Sequence, residues 1–211
     1  MVELVFIHLP KTGGSSMLET LHAVYGKEHV RHFERDECLL LNKNSQKISD
    51  VITESTRVIH GHFRYKEVKD IIKKDKPKVV TFLREPVSRV VSNYKWWKHT
   101  LQNTTVLVDK KRINEPIEVY IKQKETRNKM SFFLKGIRLK ELFFVGFLES
   151  FNDDLARLAR ALEWPDAPVY HEKNSQNFSA ANTDAIDEKL KKQIIKLNKK
   201  DLRLYRSAQK R

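Results

Sequence analysis

Short apolar runs alternate along this chain with stretches whose apolar residues recur at helical spacing. Val2 to His8 is a run of the first kind, ended by Pro10 and two glycines, and it predicts a buried strand. After it, Leu18, Leu21 and Val24 or Tyr25 share one helical face, so a helix capped by Ser15 or Ser16 is expected to run to about Tyr25. Residues 26–55 read as irregular, with short helices near Glu37–Asn42 and Ile48–Glu54. Arg57 to His60 predicts a second strand, Lys66 to Lys74 a short helix, and the β-branched run Val79 to Leu83 a third strand. That strand enters "REPVSRVVSNYKWW", which begins a helix with Pro86 in its first turn.

Residues 101–130 have no strong period and are rich in Lys, Asn and Gln, which suggests a lid or an acceptor-binding insertion. Leu142 to Val145 predicts a fourth strand that closes at Gly146. A helix opens at Asn152 or Asp153, carries Leu155, Leu158 and Leu162, and ends at Trp164-Pro165. From Asp184 the pattern is helical again, and Asn198 with Asp201 is expected to form a fresh cap that splits it. Strands alternating with helices predict an α/β fold: a central parallel sheet flanked by helices, in a single domain spanning 1–211.

Composition narrows the class. Of 211 residues, 40% are apolar and 32% charged, the balance of a soluble globular protein. No stretch approaches the roughly 20 apolar residues that cross a bilayer. No leader pattern opens the chain, so a cytoplasmic location is expected. Cys38 is the single cysteine, which rules out an internal disulfide. A formal charge of +14 predicts attraction to an anion, but nucleic acid, membrane, anionic sugar and phosphorylated cofactor all satisfy it. Lys189 to Arg211 holds ten Lys or Arg and one acidic residue, either a solvated face or a surface for a polyanion.

The chemistry concentrates in "HLPKTGGSSM". A glycine-rich turn between strand and helix aims several backbone N–H groups at one point, and the helix dipole adds to them. Gly13 and Gly14 let the backbone wrap a phosphate, Thr12, Ser15 and Ser16 add hydroxyls, and Lys11 stands on the strand side. A nucleoside-triphosphate loop would put its lysine after the glycines and add an acidic magnesium ligand at another strand end. Here the third strand ends with Arg84, and Ser92 follows, so the two could hold a second phosphate as fork and hydroxyl donor. Two phosphate grips and no metal ligand are therefore expected. The rivals are a P-loop nucleotide kinase and a non-enzymatic basic nucleic-acid-binding domain. The sequence offers the second rival charge but no recognition-helix or stacking motif.

These residues resemble the PAPS-dependent sulfotransferases, whose donor is 3′-phosphoadenosine 5′-phosphosulfate. "PKTGGSS" is similar to their 5′-phosphosulfate loop and "FLREPVSRVVSNY" to their 3′-phosphate motif. "VIHGHFRY" resembles the His-Gly-His segment of the carbohydrate branch, which includes the uronyl 2-O-sulfotransferases; "FFVGFLESFNDDL" and "LNKKDLRLY" resemble later parts of that branch. The resemblance implies a P-loop NTPase-like sulfotransferase fold, PAPS as donor, PAP as product and no metal requirement. It implies a hydroxyl-bearing acceptor, with a carbohydrate favoured. It also implies His62 as catalytic base, His60 as an orienting or auxiliary partner, and Lys11 as the cation beside the breaking bond. Donor contacts then fall to Lys11, Thr12, Gly13, Gly14, Ser15, Ser16, Arg84 and Ser92. Tyr94, Trp96 and Trp97 are expected to pack in the core, Phe147 and Leu148 are candidates beside the adenine, and the polar loop His171–Ser179 lies where relatives close over the nucleotide.

Overall fold

The computed structural model describes residues 1–103, 112, 114–165 and 186–211. They group into two compact units, Met1–Leu83 with Met130–His171 and Arg84–Lys129 with Glu172–Arg211. The strands are β1 (Leu4–Ile7), β2 (Val30–Phe33), β3 (Val58–Gly61), β4 (Lys78–Leu83) and β5 (Phe144–Phe147). The helices are α1 (Gly14–Tyr25), α2 (Arg35–Lys43), α3 (Tyr65–Asp75), α4 (Pro86–Asn103), α5 (Ile117–Tyr120), α6 (Lys129–Phe133), α7 (Phe151–Ala161), α8 (Glu188–Leu197) and α9 (Lys199–Gln209). No described helix is long and apolar enough to cross a membrane. Residues 104–111 and 113 of the expected insertion, and the loop His171–Ser179, lie outside the described residues.

In the first unit all five strands run parallel in the order β2-β3-β1-β4-β5. Parallel sheets are covered on both faces, which is why β1 is apolar at every position and wholly buried. One face packs Leu4, Phe6, Val58, Val80 and Phe82 against Met17 and Leu21 of α1 and Phe151, Leu155 and Leu158 of α7. The first strand–helix pair, the third strand and the Pro86 helix are where the hydrophobic pattern places them.

Three local expectations are corrected. The region 26–55 is not without a strand: it contains β2, an edge strand in which only Val30 and Phe33 are buried, so its apolar signal is two residues long. β5 does not close at Gly146 but runs through it to Phe147. Glycine is needed there because a Cβ would lie 2.6 Å from the Phe82 ring. Helix α1 starts at Gly14, and its N-cap is Gly13 rather than a serine.

In the second unit Val87, Val90 and Val91 of α4 pack with Tyr120, Ile121, Leu190 and Ile194. Tyr94 and Trp97 join this core against Tyr120, with ring centroids 5.2 and 5.1 Å away, while Trp96 is 46% exposed. Arg89 is buried, donates from Nη2 to the Thr126 carbonyl at 3.2 Å, and has Nε 3.8 Å from the buried Asp201 carboxylate. The helical tail does break at Asn198, but the cap comes from elsewhere. The Asn128 side-chain oxygen accepts from Lys200 N at 2.9 Å and Asp201 N at 3.3 Å. Asn198 answers by accepting from the Asn128 backbone N–H at 2.8 Å.

Candidate active site

The chain leaves β1 through a tight turn. Thr12 is fully buried, and its hydroxyl donates to the Leu9 carbonyl at 2.9 Å, so this side chain shapes the loop from inside. Lys11 has φ 70 and Gly13 φ 87, both left-handed, a conformation that strains a residue with a Cβ. Gly14 faces a different constraint: a Cβ there would lie 1.9 Å from His8 Nε2. No side chain caps α1, and its first turn has no acidic residue. The first helical N–H groups therefore have no acidic side chain of the cap or first turn competing for them. Ser15 is exposed and Ser16 half-buried beside them.

Next to this loop lies a cluster of four imidazoles. His8 follows β1, His32 lies in β2, His60 in β3, and His62 just beyond it. Parallel register sets His60 beside His32, and His8 N donates to the Gly61 carbonyl at 2.9 Å, which brings His8 level with His62. The His8 and His62 rings stack with centroids 4.0 Å apart. His62 Nδ1 lies 3.0 Å from the His8 carbonyl, an acceptor, so Nδ1 carries the proton and Nε2 is left as a lone pair. Burial lowers the His62 pKa below the usual histidine value; Glu34 and the bond to His8 partly oppose this. Burial likewise holds His8 and His60 well below it. His8, His32 and Glu34 were not singled out from sequence. Their signal was a histidine in or just after each of three strands, legible only once β2 is recognised.

Beyond His62 the chain is clamped by one carboxylate. Glu67 accepts from the Arg64 backbone N–H at 2.7 Å, Arg64 Nε at 2.9 Å, Arg35 Nη1 at 2.8 Å and Asn42 Nδ2 at 2.9 Å. Burial alone would raise the Glu67 pKa, but the bonds from Arg64 and Arg35 outweigh it and lower it from its ordinary 4.5 to about 2. Ionised Glu67 thus contributes stability that is full above pH 4.5 and lost as pH falls toward 2. Glu67→Gln is expected to be less stable than the parent at pH 7 in urea unfolding, with the gap narrowing through that acid window.

Arg84 and Ser92 belong to the second unit. Arg84 is 5% exposed and Ser92 fully buried. Between them, the Glu85 carboxylate accepts from Val87 N at 3.0 Å and Ser88 N at 2.7 Å. The start of α4 is therefore capped by an anion of its own, unlike the start of α1. Among the described residues, no group of three or more His, Cys, Asp or Glu side chains could hold a metal ion.

A parallel sheet whose first strand opens into a glycine loop and a helix without a side-chain cap is the arrangement of a P-loop-like fold. The model of the sulfotransferase family matches residues 2–206, and the chain belongs to that family. The fold also matches the crystal structure of mouse sulfotransferase SULT7A1 complexed with PAP, with a TM-score of 0.55 and 11% identity over 92% of this chain and 82% of that one. At that identity the likeness is one of fold. Comparison with curated proteins finds no matching sequence.

Proposed function

We propose that this sulfotransferase takes its sulfuryl group from PAPS, releases PAP, and delivers the group to a hydroxyl of a carbohydrate or glycoconjugate. The observation that carries the reading is His62, whose Nδ1 is committed to the His8 carbonyl while its Nε2 is a bare base in a ring stacked on His8. His8 in turn covers Gly14 of the loop, so base and anion cradle share one wall. The donor set fits a phosphosulfate: a left-handed glycine, an uncapped helix start, two hydroxyls and an ammonium group. Bound there, PAPS supplies the labile S–O bond.

The chain's own residues divide the work. His62 Nε2 takes the proton of the acceptor hydroxyl. Lys11 places a compact positive charge where the leaving phosphate gains charge. Ser15, Ser16 and the backbone of Thr12, Gly13 and Gly14 bind the donor's 5′ end. His60 is fully buried, so it acts as an auxiliary through its neighbours. Arg84 holds the 3′-phosphate through its side chain, since Glu85 has taken the α4 N–H groups, and Ser92, fully buried like His60, supports it through its neighbours. Arg84→Ala is accordingly expected to weaken PAP binding about 10- to 100-fold in calorimetry, as loss of a charge-assisted bond does, with a smaller change in kcat. The family match covers both units, which supports treating 1–211 as one catalytic domain.

Mass-detected transfer from PAPS across sugars, polysaccharides and simple alcohols tests the reading. Sulfation of at least one sugar hydroxyl is expected. Sulfation confined to simple alcohols removes the carbohydrate assignment, and phosphoryl transfer from ATP would favour the kinase instead.

A further inference from the structure

We propose that Glu34, His32 and His60 form a hydrogen-bonded relay that fixes the buried His60 as its Nδ1–H tautomer, which makes Glu34 and His32 positioning residues for the sulfotransfer reaction. The kinetic half of this rests on the function proposed above, whereas the tautomer rests on hydrogen-bond geometry with Glu34 ionised.

An ionised Glu34 can only accept, and its Oε1 lies 3.0 Å from His32 Nε2, so that nitrogen carries a proton. A neutral His32 then has a bare Nδ1. His60 Nδ1 lies 2.8 Å from it, and one of the two must donate, so the proton is on His60. His60 Nε2 is left as a lone pair that makes no hydrogen bond, while the Gly14 backbone lies close enough to the ring to raise the His60 pKa against the larger effect of burial. The plane of the ring is set by its neighbours: it stacks on Phe6 at 5.1 Å and is flanked by His8 at 5.1 Å and His32 at 4.9 Å.

The relay keeps His60 neutral beside the base. The groups facing His32 are Glu34, His60, His62, His8, His22 from α1, and Arg31, which donates to the His32 carbonyl and pairs with Glu37. Among these groups only Glu34 is a carboxylate in contact with the His32 ring, so it is the group that fixes the proton on His32 Nε2.

Nitrogen-15 imidazole spectra of histidine-labelled protein at about pH 8 test this, with the His60 signals assigned by their loss in His60→Phe. In the parent protein His60 is expected to carry its proton on Nδ1. Glu34→Ala frees His32 and is expected to return His60 to the Nε2–H form that free histidine prefers, whereas Glu34→Gln keeps an acceptor oxygen and should retain Nδ1–H. In the same variants, kcat is expected to fall about tenfold for Ala, below the 10²–10⁴ of a general base, and to recover for Gln, with donor KM steady. An Nε2 proton on His60 in the parent, or matching Ala and Gln spectra, would overturn the relay. Unchanged kcat in Glu34→Ala overturns the positioning role. A parent protein with the stated tautomer but no sulfotransfer would instead count against the proposed function.

Discussion

His62→Ala is expected to lower kcat by roughly 10²–10⁴-fold, the usual contribution of a positioned general base, while PAP affinity stays nearly constant. The bare Nε2 is the proton acceptor, and nothing in the bond between Nδ1 and the His8 carbonyl contributes to donor affinity. His62→Gln can keep that bond through its amide but offers no basic nitrogen, so it should be as slow as Ala. Added imidazole should restore part of the rate in the Ala variant alone. The pH profile provides a second measurement. The reaction needs the neutral ring, and burial lowers the His62 pKa, so the acid limb of kcat should lie below the usual 6.5 rather than at it. Parent-like turnover in His62→Ala would dismiss the histidine as base.

Lys11→Ala is expected to cost on the order of a hundredfold or more in kcat, the scale on which removal of one charge-stabilising donor slows acyl transfer. The contact is strongest as the S–O bond breaks, so the loss should fall on kcat and leave PAP binding largely intact. Alanine is the right first substitution because it keeps the Cβ and therefore the strain of φ 70. Lys11→Gly removes strain and charge together. If the two variants are equally slow, the ammonium group is the cause. If only Ala is slow, loop geometry is. Full activity in Lys11→Ala would refute the assigned role.

How much of this was legible beforehand depended on the length of each signal. β1 and β4 lie in apolar runs, the α4 start is marked by Pro86, and glycine or proline punctuates all three, so they were readable. β2 was not: Arg31 and His32 occupy half of a four-residue edge strand, and an edge needs few apolar residues. Gly146 was misread because a glycine that admits a neighbouring ring looks the same in sequence as one that ends a strand. The anion loop was recognisable as a cluster of residue types, yet the inward turn of the Thr12 hydroxyl was not. His60 and His62 stood out as a pair, whereas His8 and His32 come from strands whose order only the register reveals.

The exchange of bonds between Asn128 and Asn198 also bears on synthesis. The two residues are separated by 70 positions, and α9 begins with N–H groups held by the earlier one. At translation rates of roughly 5–20 residues per second, Asn128 is synthesised about 4–14 s before its counterpart. During that interval the apolar face of α4 lacks the α8 residues that later cover it. Nascent chains should therefore be most open to chaperones and proteases across this stretch, and slowing elongation there should lengthen the exposure.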